Sequence, residues 1–271
     1  MNVVRGFTRN QGLFRWALLL GVIILLYAGT ARAESCRLSP VHGDLLFPVD
    51  RISSDWTCRL QPIIESNTTV TRVGPIRVAL SEPLYRYLLS EPPFAAALIR
   101  RLGLGAYHSQ AWGEGRFWGD DGEGTKGFVQ LVYQDAESRI YLLDGSHEGR
   151  LLPHMTGKAV VFLRMAVARD QEGHEDMDST IVAYTRLDNR FLSGLVSFLH
   201  PLIRGLVISK LQKGVETVHR LGVTIRQQPS RVLREAEQDP PLPEQHLVFL
   251  KTVLGAQPNF GRGLSPVSTT P

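Results

Sequence analysis

The sequence holds only two cysteines, Cys36 and Cys58, and no Cys-x-x-Cys pair. Thiol redox chemistry favours closely spaced cysteines, so that class of function has no support. The eight histidines are scattered. No His-x-x-x-His or His-Glu-x-x-His pair brings two imidazoles onto one helical face, as a catalytic zinc would need. A Gly-Lys-Ser/Thr phosphate loop is missing, and so is a Gly-x-Ser-x-Gly nucleophile elbow. No catalytic residue, metal or cofactor is therefore assigned from the sequence.

Charge of one sign is also missing once the amino terminus is set aside. The formal +4 of the chain equals the four arginines of residues 1–33, namely Arg5, Arg9, Arg15 and Arg32, and that segment contains no acid. The remainder is neutral, whereas a nucleic-acid-binding domain usually carries a basic excess in its folded part. Those first residues have the pattern of a cleavable secretory signal. Arginines precede an apolar run from Trp16 to Tyr27, and Ala31-Arg32-Ala33 places small side chains where a signal peptidase reads. The run is shorter than the roughly 20 residues a spanning helix needs. Cleavage is expected before Glu34, with export to the periplasm or beyond. An oxidising compartment would join Cys36 to Cys58.

Residues 34–69 are turn-rich, with Pro40, Pro48 and Pro62, and read as an irregular leader stapled by that disulfide. An extended stretch from Val70 to Leu80 follows, interrupted at Gly74-Pro75. Ser81 then suits a helix N-cap, with Pro83 in the first turn. Ser90 suits a second cap, followed by Pro92 and Pro93 and stopped by Gly103. The period then changes. Ala106–Trp118, Gly127–Gln134, Arg139–Asp144, Lys158–Arg169 and Thr180–Leu187 are rich in β-branched and aromatic residues and separated by turn signals. Short connections make such neighbours antiparallel. After Asp188, apolar residues from Leu192 to Leu221 return to helical spacing as one long helix, with Pro201 inside it. A helix-plus-sheet domain is thus expected over 70–238, and a Pro-rich tail with a short helix at His246–Leu254 over 239–271.

The order of strand, two short helices, antiparallel strands and long C-terminal helix resembles the helix-grip fold of the START-like superfamily, also called the polyketide cyclase and lipid transport or SRPBCC superfamily. The residues that carry the resemblance are Ser81 to Leu102, Gly113 to Tyr141 and Phe191 to Leu221. The resemblance implies an α+β fold in which a curved antiparallel sheet wraps a long helix and leaves a cavity for a lipid or other apolar small molecule. Together with the expected export signal, which departs from the family's usual pattern, it suggests an exported, noncatalytic binding protein, with an enzyme of cyclase, dehydratase or hydrolase type as the alternative on the same scaffold.

Polar residues set in apolar strands are the candidates to orient such a ligand. His108, Gln110, Trp112, Glu114, Arg116 and Trp118 share a face if their strand is regular. Arg164 shares one with Val160 and Phe162, and Tyr133, Tyr141 and Tyr184 bring hydroxyls. For the enzymatic alternative, His108, Glu114 or Arg164 would supply acid and base. Two other motifs read more plainly. Gly122-Glu123-Gly124-Thr125-Lys126-Gly127 lies between strands, so it is a hairpin turn and not a dinucleotide loop. The acids and His174 of Asp170–Asp178 offer oxygen ligands without an EF-hand register, which fits a solvated turn. Between Arg186 and Arg234 the chain has nine Lys or Arg against Asp188 and Glu216. That basic helix reads first as a core helix with a solvated outer face, and it is also the surface that could touch an anionic membrane.

Overall fold

In a computed structural model of the protein, residues 36–149, 154–188 and 196–255 are described. The expected signal segment lies outside them. No helix among the described residues is long and apolar enough to cross a membrane.

The leader is more ordered than its prolines suggest. Two short strands, β1 (Val41–His42) and β2 (Leu45–Leu46), pair antiparallel, and a 3-10 turn follows at Val49–Arg51. A twelve-residue helix, α1 (Ser54–Glu65), comes next and buries Thr57, Leu60 and Ile63. Pro62 lies inside it. Proline at that place forfeits one backbone donor near the helix end, a loss that burial of the apolar stripe outweighs. The disulfide Cys36–Cys58 is present, with a Cα–Cα distance of 5.0 Å, and ties the start of the leader to α1.

The main sheet has seven strands: β3 (Thr69–Val78), β4 (His108–Ala111), β5 (Arg116–Asp120), β6 (Thr125–Gln134), β7 (Ser138–His147), β8 (Met155–Arg169) and β9 (Glu175–Leu187). Their order is β3-β9-β8-β7-β6-β5-β4, and every pairing is antiparallel. The register of β3 shifts between Val73 and Ile76, at the expected Gly74-Pro75 interruption. The stretch expected as one strand over Ala106–Trp118 is a hairpin, β4 and β5. It reverses at Gly113 and Gly115, whose φ values of 123° and 60° favour glycine.

Two helices follow β3, as expected. The first is α2 (Glu82–Ser90), preceded by Ser81 in extended conformation, and the second is α3 (Pro92–Arg101). Ser90 belongs to the end of α2 instead of capping α3, a place taken by Glu91. Gly103, with φ 69°, closes α3 through a bond from the Leu104 amide to the Ile99 carbonyl. The long helix is α4 (Val196–Gln227), with Pro201 inside it. Then come α5 (Pro229–Glu237) and α6 (Glu244–Gly255). These last two are part of the core: Val232, Ala236, Leu242, Leu250 and Leu254 are buried with residues of α2, α3 and the sheet. The stretch expected as a tail is therefore packed as far as Gly255.

The architecture is α+β, a helix-grip arrangement. Along one helix, α4 sets Gly222 against the end of β3 at Ala79, and ties Lys210 and Lys213 to Asp121 and Glu123 of the β5–β6 turn. Those two places on the sheet are separated by β9, β8 and β7. Four to five strand spacings of about 4.8 Å lie between them, and the roughly 18 Å of helix from Lys210 to Gly222 covers most of that span, so α4 crosses the sheet obliquely. Four glycines also form a row across the sheet. Gly119, Gly127, Gly145 and Gly157 pair in one row across β5, β6, β7 and β8. A Cβ on Gly127, Gly145 or Gly157 would lie within 2.6 Å of a carbonyl oxygen of the adjoining strand. Glycine rows of this kind mark a sheet corner, where the backbones close in on one another.

Candidate functional site

Strand alternation gives the sheet two faces, and the clusters name them. Ile140, Leu142, Val160, Phe162 and Val182 pack against Phe47, Ile52, Leu60 and Ile63 of the leader. The opposite parity faces the helices: Leu163, Met165 and Met177 pack with Leu221 and Ile225 of α4 and with α2, α3, α5 and α6. The leader face is closed. His42 stacks on Phe162 at 3.9 Å between ring centroids, and its Nδ1 lies 3.0 Å from the Tyr184 hydroxyl.

The helix face is closed only in part. Toward the end of α4, Thr217, Leu221, Gly222 and Ile225 are buried, whereas between Pro201 and Gly214 only Ile203 is. Across from that first half, Phe117, Val129, Leu131, Leu143 and Val161, on the helix-facing parity, are half-buried. At the end of this face, where α2 meets the β4–β5 turn and β6, lies a cleft of about 440 Å³. Its apolar wall includes Leu89, Phe117, Leu131 and Val132, and its polar groups include Ser90, Gln130, Tyr133 and Tyr141, with Glu114 at the β4–β5 turn.

Of the nine residues singled out as ligand-orienting, the cleft gathers three: Glu114, Tyr133 and Tyr141. The others stand elsewhere. His108, Gln110, Arg116 and Trp118 do share a face through the β4–β5 hairpin, but by register it is the leader-side face of the sheet, and the first three are exposed. Trp112 is 58% exposed, edge-on to Phe128 at 5.5 Å, and the Arg116 guanidinium lies 4.5 Å over the same ring. Arg164 points to the leader side as well, donating to Ser138 Oγ at 3.2 Å and paired with Glu137. Tyr184 is held by His42. Tyr133 donates to Asp135 at 2.9 Å. His108 on β4 and Arg164 on β8 have β5, β6 and β7 between them. The acid–base set of the enzymatic alternative therefore does not converge.

One buried group escaped the sequence reading. Arg139 is 4% exposed, and its guanidinium donates to Ser90 Oγ at 2.9 Å, to the Arg86 carbonyl at 3.4 Å and to the Tyr141 hydroxyl at 3.5 Å. Its Nε is buried without a partner among the described residues. The signal was present: Arg139 is two residues before Tyr141, so the alternation that turned Tyr141 inward turns Arg139 the same way. Burial pushes the Tyr141 hydroxyl pKa up, and the Arg139 charge only partly opposes it. Tyr141 is thus a protonated donor at neutral pH.

Three cations of α4 are paired with acids of the sheet and its turns. Lys210 lies 2.7 Å from Asp121 and 3.0 Å from Glu123, and Lys213 pairs with Glu123. Burial opposes ionisation of Asp121, yet bonds from Lys210 and from the amides of Thr125 and Glu123 outweigh it and hold the carboxyl below its usual range. Arg226 bridges Asp170 at 3.0 Å and Asp176 at 2.7 Å. Asp170, Glu172 and His174 do bring ligand atoms within 4.8 Å of one another. Asp170 already accepts from Arg226 and from the His174 amide, so a guanidinium supplies positive charge there.

No protein-family model matches the chain, and no curated protein does. Among solved structures, the chain is similar to one titled "Crystal structure of conserved protein from Geobacillus kaustophilus", with a TM-score of 0.40 and 10% identity over 55% of this chain and 93% of that one.

Proposed function

We propose that this protein is a noncatalytic carrier that holds a lipid or other apolar small molecule between the sheet and α4, in a compartment outside the cytoplasm. The observation that carries the reading is the contrast within the helix face. Apolar side chains on both α4 and β5–β8 stay half-buried, and two of them, Phe117 and Leu131, also line a cleft of about 440 Å³ beside α2. Close-packed interiors leave few such spaces. Small-molecule sites have volumes of roughly 300–1,000 Å³, mostly apolar walls and a few placed polar groups. The cleft has that volume and several placed polar groups, and its walls are about equally apolar and polar. Contact with an anionic membrane through α4 is a secondary part of the proposal, and it draws on the cations that the ion pairs to Asp121, Glu123, Asp170 and Asp176 leave over.

The test is direct. Purified protein is extracted with organic solvent and the extract is read by mass spectrometry, alongside titration with a fluorescent fatty-acid analogue. A stoichiometric extracted amphiphile, or saturable uptake of the analogue, is the expected result. A clean extract together with no uptake would overturn the carrier reading.

A further inference from the structure

Resting on that reading of the cleft, we infer that its ligand is an amphiphile with a carboxylate head, recognised by the Tyr141 and Ser90 hydroxyls with the buried Arg139 cation behind them. A guanidinium always carries its charge, and taking it out of water is costly unless an anion accompanies it. Arg139 is 4% exposed, and no carboxylate among the described residues pairs with it. Its polar partners are two hydroxyls and one α2 carbonyl, and its Nε has none. The carbonyl end of α2 compensates part of a charge, since a helix C-terminus carries about half a unit of negative charge. The remaining demand is for an anion.

The direction of the bonds says where that anion belongs. Tyr141 and Ser90 both line the cleft, and both accept from Arg139 through their oxygens. A hydroxyl that accepts from a cation turns its own proton away from it, so both protons remain to be donated to a ligand acceptor. Hydrogen bonds with an ionised partner are the stronger kind. Tyr141 keeps its proton because burial raises its pKa. The apolar wall beside these donors, Leu89, Phe117 and Leu131, suits a hydrocarbon chain. Glu114 alone among the lining residues carries charge; it is exposed, so water and salt screen it far more than they screen Arg139.

The experiment compares two probes of one chain length, dodecanoate and 1-dodecanol, by displacement of a fluorescent apolar dye from the purified protein at pH 7.5. The expected result is that the acid binds about tenfold more tightly than the alcohol, the size of one charge-assisted bond. Arg139→Met and Tyr141→Phe should each bring the acid to within about twofold of the alcohol. If Arg139→Met does not fold, Tyr141→Phe and the double variant with Ser90→Ala carry the test, because they remove only hydroxyls. Equal binding of acid and alcohol to the unaltered protein overturns the carboxylate inference and leaves the carrier reading standing, as does a preference that survives the double variant. Failure of both probes to bind overturns the carrier reading itself.

Discussion

The two faces of the main sheet solve different problems. On the leader side, His42, Phe47, Phe162 and Tyr184 form one aromatic cluster, and α1 buries Leu60 and Ile63 against it under a disulfide. On the helix side, the end that holds Leu221, Ile225 and the α5–α6 pair is equally full, but most side chains of the first half of α4, and those of β5–β8 on its side of the sheet, are only half-buried. A protein built only for stability would fill both. The comparison teaches that the leader and the C-terminal helices supply the tightest packing, and the middle of the helix face is covered less completely.

The sharpest way to break that comparison is to empty the closed face. Phe162 has no exposed surface and lies at the centre of the leader-side rings. Phe162→Ala should destabilise the fold by about 3–5 kcal/mol, read by denaturant unfolding. A loss under about 1 kcal/mol would mean that the leader is a loose cover. Next in size is the staple. Replacing Cys36 and Cys58 together by Ser opens a link spanning 22 residues of sequence separation. Constraint of the unfolded chain by such a loop contributes about 3 kcal/mol. The same titration checks it, and the open-face cleft should keep its binding in the unfolding baseline region.

Much of this was legible from the residues, and the misses have physical causes. Alternation and turn residues located β6 to β9, and Ser81-Glu82-Pro83 marked α2. Pro62 hid α1, because a proline near the end of a helix costs little when Leu60 and Ile63 are buried. The β4–β5 hairpin was hidden by Gly113 and Gly115, which let a continuous-looking strand fold on itself. The glycine row is legible only after pairing, since Gly119, Gly127, Gly145 and Gly157 meet across strands that a linear reading keeps apart. The site suffered most. Tyr141 was singled out for its hydroxyl, and strand alternation puts Arg139 on the same side, but which side faces the helices depends on where the leader docks, and that is a long-range fact.

Acid sharpens the comparison through one residue. Burial lowers the pKa of His42 below the ordinary value of about 6.5, so the folded state prefers the neutral ring. As pH falls through about 6.5, the unfolded chain takes up a proton that the folded chain refuses, and stability drops. The stabilisation is therefore complete above that pH and lost on acidification toward the folded pKa. Unfolding titrations at pH 7 and pH 5 should show the loss, and His42→Gln should remove part of the difference. His147 and His246 are shifted down by burial as well, so some slope should persist. An unchanged slope in His42→Gln would place the acid sensitivity outside the leader.

The smallest effect on stability tests the open face itself. Val129 is half-buried, faces α4 by its pairing with Leu143, and stands beside Phe117 on β5. Removing its two outer carbons deletes contacts that are already incomplete, so Val129→Ala should cost less than about 1 kcal/mol. Ligand binding should respond more if the apolar chain lies between the sheet and α4 as proposed, because Val129 would then touch it. Dye-displacement titration of the variant should show weaker dodecanoate binding while its unfolding midpoint stays near that of the unaltered protein. The reverse result, a large stability loss with binding intact, would mean that Val129 is sealed within the core and that the two faces of the sheet are filled alike.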